Sequence, residues 1–562
     1  MTLLCRAQAL SQDQVVAAIY ETMIRAEQFD RFSAGEEPGQ GFAEAPDSRW
    51  PMGQVRAAPV LKAHFARAAE IHEQEWQRAG RPHPCGYSGD CPRFWLLAAA
   101  VPEEGLLNAS QRAARQLSAG ADLAAGMGLT AAAAGRWRNF LEQVRQGLVS
   151  RQDVLVLDTC WPGEKILCRP VWTGRAEGAA AAVMAERLEV EWSCAAARPL
   201  AAALGLQTAD MEPLKAILTG TGRGAAAALG PIAARAGAPG AAELIRLAAF
   251  LMEERTRDLK IAQGAMLPPS EEFQDSSGQR IQFFRLGADT GQPVIYLHGL
   301  LDGIAPLQRL QPQLRTLGFR IYAPMRAGYG GTSPLRRGQD PADAFVQQLD
   351  ALITRENLLR PVLLSHRGGA LYGCLAANRL HSRVAGLVAV ASNCAITSTR
   401  QFSSLSGYAW LVAFCASHAR WMLPALMKGW SAALRWYGHE KLLKIQSARG
   451  GREREMLQGL DLLPLLKHSQ SVFLQQGGAG FVADVQMLRQ GFQKIALARE
   501  TRAVFVHGGE DHVAPLAVVR EALNGIRNAQ LCVSQEAGAL LFYTFPELVL
   551  TALQDCAAAS QR

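Results

Sequence analysis

Closely spaced metal-binding cysteines are missing from this sequence. Its 11 cysteines are scattered over 562 residues. Cys85 and Cys91 flank a Gly-rich turn beside His83, but zinc wants closer pairs and more ligands. Neither a metal nor a cofactor is expected. A secretory leader is missing too: residues 1–10 hold one Arg and no apolar core. Reduced thiols and a cytoplasmic location are therefore expected. Long apolar runs are absent. The longest, 409–427, is broken by Ser417, His418, Arg420 and Pro424, and a spanning helix needs about 20 mostly apolar residues. No membrane span is expected, only a buried or lid helix. Charged residues are few, 19% against 49% hydrophobic, which excludes a wholly disordered chain. The balance of 58 − 50 = +8 permits anionic partners without requiring them.

The length suggests three to four domains. Apolar residues recur at helical spacing in 11–32 and 58–78, giving an N-terminal helical region, 1–80. A short strand follows at 94–101, and 105–117 reads as a strand end feeding a helix. A helix at 131–148 and strands at 153–157, 165–172 and 182–192 complete a small α+β domain, 81–195. Residues 196–262 are helical in pattern. Pro268 and Pro269 mark a linker, 263–278. From 279 to 562, apolar strands alternate with amphipathic helices, the signature of a mostly parallel α/β sheet.

Several motifs punctuate that last region. His298-Gly299-Leu300 ends a strand, as does Ser365-His366-Arg367-Gly368-Gly369. Arg326-Ala327-Gly328-Tyr329-Gly330 follows another. Gly509-Glu510-Asp511 and Ala537-Gly538-Ala539 lie further on. In this order they resemble the α/β-hydrolase superfamily. The resemblance implies that His298-Gly299-Leu300 supplies an oxyanion-hole amide and that Ser365–Gly369 is the nucleophile elbow. Asp511 then stands at the acid position and Ala539 at the histidine position. Residues 396–480, rich in Trp410, Phe414, Trp421, Trp430, Trp436 and Tyr437, take the place of a helical cap.

The chemistry of that family is incomplete here. The elbow needs small residues two before and two after the nucleophile. Ser365 and Gly369 fill those slots, so the nucleophile position is Arg367. A guanidinium stays charged and cannot attack a carbonyl. Taking Ser365 as nucleophile would put Leu363 and Arg367 in the small-residue slots. Ala539 carries no proton chemistry, and an acid without base or nucleophile orients nothing. His298 and Cys374 read as structural, and His512 as a base with no nucleophile to serve. Two readings of Arg367 stay open. It binds a small carboxylate or an apolar-tailed acid, together with Gly368, Leu300, His298 and Gly299. Otherwise it pairs with Asp511 and closes the site.

The N-terminal half resembles the sensor part of bacterial LuxR-type regulators, with a PAS-like fold at 81–195. Residues 206–230 resemble the first two helices of a LuxR-type helix-turn-helix, and 232–251 its end. Only Gly230-Pro231 stands where a groove-reading helix belongs. An alternative frame takes 232–237 as the second helix and 240–255 as the recognition helix, with Arg246 alone near its front. The combined expectation is a multidomain, non-catalytic, regulator-like protein. It has a PAS-like α+β sensor, a degenerate all-α helix-turn-helix and a capped α/β-hydrolase domain that binds a small ligand or partner. DNA binding is expected to be weak, and homodimerisation is compatible with the sensor. The alternatives are a LuxR-type DNA-binding regulator with a divergent reader, and an esterase-like hydrolase with an unusual site.

Overall fold

The computed structural model describes isolated residues between 15 and 68, then 95–99 and 105–109. With short gaps it also describes 122–299, 303–393, 452–488 and 497–560. The chain divides into two compact units, one holding Gln8–Arg257 and the other beginning at Asp258. The cap aromatics Trp410 to Tyr437 lie outside the described residues, as does Leu300.

In the first unit, β1 (Trp95–Ala99), β2 (Gly105–Ala109), α1 (Leu123–Gly126), α2 (Ala131–Arg145), β3 (Leu155–Asp158), β4 (Glu164–Trp172) and β5 (Ala181–Glu189) build one antiparallel sheet with two helices. Its order is β2-β1-β5-β4-β3. Thr130 starts α2 by accepting a hydrogen bond from the Ala133 amide. Trp137, Phe140 and Leu141 of α2 then join Leu157, Ile166 and Val183 in one core. Alternation along β4 turns the neighbouring Leu167 to a second core.

The second core is formed by α3 (Cys194–Ala203), α4 (Thr208–Thr219), α5 (Ala226–Ala236) and α6 (Ala241–Ala262). These helices correct the frame in which a recognition helix is missing. Gly230-Pro231 lies inside α5, and α6 runs unbroken through 241–262. Of the alternative frame, residues 241–255 lie within one helix, α6, while its second helix, 232–237, is only the end of α5. Over 241–252, α6 is buried on nearly its whole circumference, including Leu244, Ile245, Leu247 and Ala248. Such a helix is a core helix. Arg246, the one candidate base reader, is 5% exposed and pairs with Glu186 of β5 at 3.0 Å.

The second unit contains β6 (Ser270–Gln274), β7 (Arg280–Gly287), β8 (Gln292–Leu297), α7 (Ala305–Arg309), α8 (Gln311–Thr316), β9 (Phe319–Pro324), α9 (Pro341–Arg355), β10 (Val362–His366), α10 (Gly369–Arg379) and β11 (Gly386–Val390). After the undescribed stretch come α11 (Arg452–Gln458), α12 (Leu463–Leu474), α13 (Ala479–Leu488), β12 (Arg502–Gly508), α14 (Leu516–Leu523), β13 (Ala529–Ser534), α15 (Leu541–Thr544) and α16 (Pro546–Ser560). The eight strands are ordered β13-β12-β11-β10-β8-β9-β7-β6. β6 and β7 are antiparallel additions to an otherwise parallel sheet. The stretch expected as linker, 263–278, therefore already contains a strand. The sheet claims it by burying Phe273, and Asp275 and Gly278 make the tight return into β7.

β10 lies centrally and is buried at every residue, as parallel strands covered on both faces are. Leu363 packs with Phe283, Ile295 and Phe505 on one face. Leu364 packs with Tyr296, Val388 and Val506 on the other. No described helix is long and apolar enough to cross a membrane.

Candidate functional site

The site begins at the C-terminal end of β10. Arg367 takes φ +51°, a left-handed conformation that costs a non-glycine residue about 1–3 kcal/mol. Its N–H donates to the Val390 carbonyl at 2.9 Å, and its carbonyl accepts from Ala370 and Asn393. These bonds hold the strained turn between β10 and α10. Gly369 permits it: a Cβ there would lie 2.2 Å from the Leu297 carbonyl oxygen and 2.7 Å from that of His298. The strand, strained residue and helix form the elbow implied by Ser365–Gly369, with an Arg 7% exposed at its apex. Ser365 and His366 are buried behind it, and the His366 ring meets Phe542 edge-on at 5.1 Å.

His298 ends β8. Its Nδ1 lies 2.8 Å from the Gly299 carbonyl, and its Nε2 accepts from the Arg326 amide at 3.3 Å. Burial, reinforced by the Arg326 charge, pushes the imidazole well below its usual range. A neutral ring with Nδ1–H donating satisfies both bonds, so His298 shapes the turn. The backbone of Gly299 runs close to Arg367, with 3.5 Å from a Cβ built at 299 to Arg367 Cβ.

Asp511 stands in the turn after β12, 4% exposed. Its Oδ1 accepts from the Val513 and Ala514 amides, both at 2.9 Å. His507 Nε2 lies 3.7 Å from Oδ2 and donates to the Ala514 carbonyl at 2.8 Å. Among the described residues no ion pair joins Asp511 to Arg367. His512 is exposed, while Cys374 is buried in the core. Ala539 is fully buried in the turn before α15.

Two carboxylates that sequence reasoning missed come from α11 and α13. Glu453 of α11 is 1% exposed. Its Oε1 accepts from the Gly538 and Leu540 amides at 3.1 and 2.9 Å, on either side of Ala539. Burial pushes its carboxyl up to about 7, against the pull of those amides and with help from the Asp511 charge. Asp484 of α13 accepts from Arg326 Nε at 3.0 Å, Tyr329 Oη at 2.9 Å and Tyr372 Oη at 2.8 Å. Arg326 also reaches it through Nη2. Burial raises both phenols well above their ordinary range, so they remain donors. No periodicity marks either carboxylate, because each meets partners far away in the chain. Among the described residues no group of side chains could hold a metal ion.

A family model described as serine aminopeptidase, S33, matches residues 289–537. No curated protein matches the sequence. Solved structures similar to the chain include a thermophilic esterase from Thermogutta terrifontis. It is 17% identical, over 52% of this chain and 100% of that one, with a TM-score of 0.36. An esterase from Exiguobacterium antarcticum is 19% identical over 51% and 98%, with a TM-score of 0.37. A putative lipase from Acinetobacter baumannii is 15% identical over 55% and 96%, with a TM-score of 0.41.

Proposed function

From a C-terminal unit with the α/β-hydrolase fold, we propose an esterase-type site that has lost its serine relay and binds a small carboxylate. The observation that carries this reading is Arg367 at the strained apex of the elbow. The relay needs a hydroxyl there and an imidazole between it and the acid. The chain has a guanidinium and, at 539, a buried methyl group. A guanidinium at the N-terminus of α10 suits a planar anion, by charge and by paired N–H donors. The Gly368 amide adds a further donor direction. Gly299 and His298 wall the site. In this reading the N-terminal unit is a PAS-like sensor, which its strand order β2-β1-β5-β4-β3 supports. The helices after it are a degenerate reader, which the burial of α6 and Arg246 supports. The whole would be a regulator-like protein that responds to a ligand.

Thermal unfolding of the full chain across a library of apolar-tailed carboxylates tests the binding. At a ligand concentration of about 100 times Kd the stabilisation is about 2.7 kcal/mol, a shift of several degrees. Arg367→Met keeps the side chain's length and should abolish the shift. Nil shifts for the wild type, or equal shifts in the variant, would refute the proposal.

A second reading, an esterase-like hydrolase with an unusual constellation, is favoured by Glu453. A carboxylate that titrates near neutrality beside Asp511 has the pKa a general base requires. The two readings part in an ester panel. The first expects no turnover above buffer. Turnover that Glu453→Gln abolishes would establish the second.

A further inference from the structure

The geometry points to a pH-sensitive latch that fastens α11 to the core: Glu453 of α11 grips the Gly538–Leu540 turn and lets go when it ionises. This goes beyond the ligand reading and needs no occupant in the site. Several separate observations support it. Glu453 is the α11 residue whose Oε1 gathers two backbone N–H groups of one core turn, with Thr544 Oγ1 at 3.5 Å. Its Oε2 is buried and meets no hydrogen-bond partner among the described residues. A Cβ on Gly538 would stand 2.3 Å from that oxygen, so only glycine leaves the carboxyl its berth. The turn carries Ala539, and a larger side chain on it would change the seat α11 rests on.

The groups around the latch set its sign. Asp511 faces Glu453 from the loop after β12, with His507 beside it. Thr544 faces it from α15. On the turn, Glu536 pairs with Arg452 of α11 at 2.6 Å, both largely exposed. A neutral carboxyl tolerates this dry site, whereas a carboxylate with a bare Oε2 beside another negative charge does not. The closed state raises the Glu453 pKa from an ordinary 4.5 to about 7. Its advantage is therefore complete below about 4.5 and is lost as pH rises through 7. Above neutrality α11 loosens at this contact.

Hydrogen exchange of the Gly538 and Leu540 amides in the full chain, expressed as protection factors from pH 5.5 to 8.5, tests the latch. Wild-type protection should fall by about tenfold or more, since each unit of pKa difference between closed and open states is a factor of ten. Glu453→Gln keeps an acceptor for both amides and cannot ionise, so its protection should stay level. Asp511→Asn keeps the Val513 and Ala514 bonds and removes the neighbouring charge, which lowers the closed-state pKa, so the fall should be smaller and end at lower pH. That arm stands even if the Gln variant does not fold. Level wild-type protection, an undiminished fall in Glu453→Gln, or an unmoved midpoint in Asp511→Asn would each overturn the latch. None of these outcomes depends on carboxylate binding or ester turnover.

Discussion

Replacing Asp484 with Ala is expected to destabilise the C-terminal unit by about 3–5 kcal/mol, the usual cost of leaving one partner of a buried ion pair behind. Asp484 and Arg326 are each 3% exposed. The carboxylate compensates the guanidinium and also accepts from Tyr329 and Tyr372. Arg326 stacks between those two rings, 5.3 and 4.7 Å from their centroids. Truncation therefore strands one cation and two hydroxyls together in a dry place. Because Asp484 rides on α13 while its partners lie on other elements, the loss should also loosen α13. Asp484→Asn keeps an acceptor and should cost less. Urea unfolding followed by fluorescence checks both variants, and a loss under about 1 kcal/mol for Ala would mean that water already reaches Arg326.

Gly369→Ala is the second large effect. Its Cβ would drive into the carbonyl oxygens of Leu297 and His298. These belong to backbone at the end of β8, so neither can rotate away. Overpacking of this kind costs about 3 kcal/mol when rigid backbone must move, and here the movement prises β8 from the elbow. Stability and the carboxylate-dependent thermal shift should fall together. Gly299→Ala is the control. Its Cβ meets nothing nearer than 3.5 Å, at Arg367 Cβ and the His366 carbonyl, which is ordinary contact. It should stay within about 0.5 kcal/mol of wild type. Similar losses at both glycines would show that the turn is soft and that the close approach at Gly369 is not what sets the elbow.

The apolar runs of 279–562 marked the central strands β8, β10, β11 and β12 by themselves, because burial on both faces is written there as local runs of apolar residues, many of them Val, Leu and Ile. The placing of Arg367 at the turn after β10 and of Ala539 in the turn before α15 was legible too, because both sit within short local motifs. β6 escaped, since one apolar residue, Phe273, gives a strand too weak a period beside Pro268 and Pro269. The reader frame around Gly230-Pro231 went astray because a proline suggests a break, whereas α5 absorbs it. Only the tertiary structure decided that Arg246 pairs with Glu186, that Asp511 caps its own turn, and that Glu453 and Asp484 meet the Gly538–Leu540 turn and Arg326. Those outcomes depend on which distant backbone amide, hydroxyl or charge arrives beside a side chain after packing. A long-range meeting of that kind leaves no period in the chain, because its free energy belongs to the buried place where the groups meet.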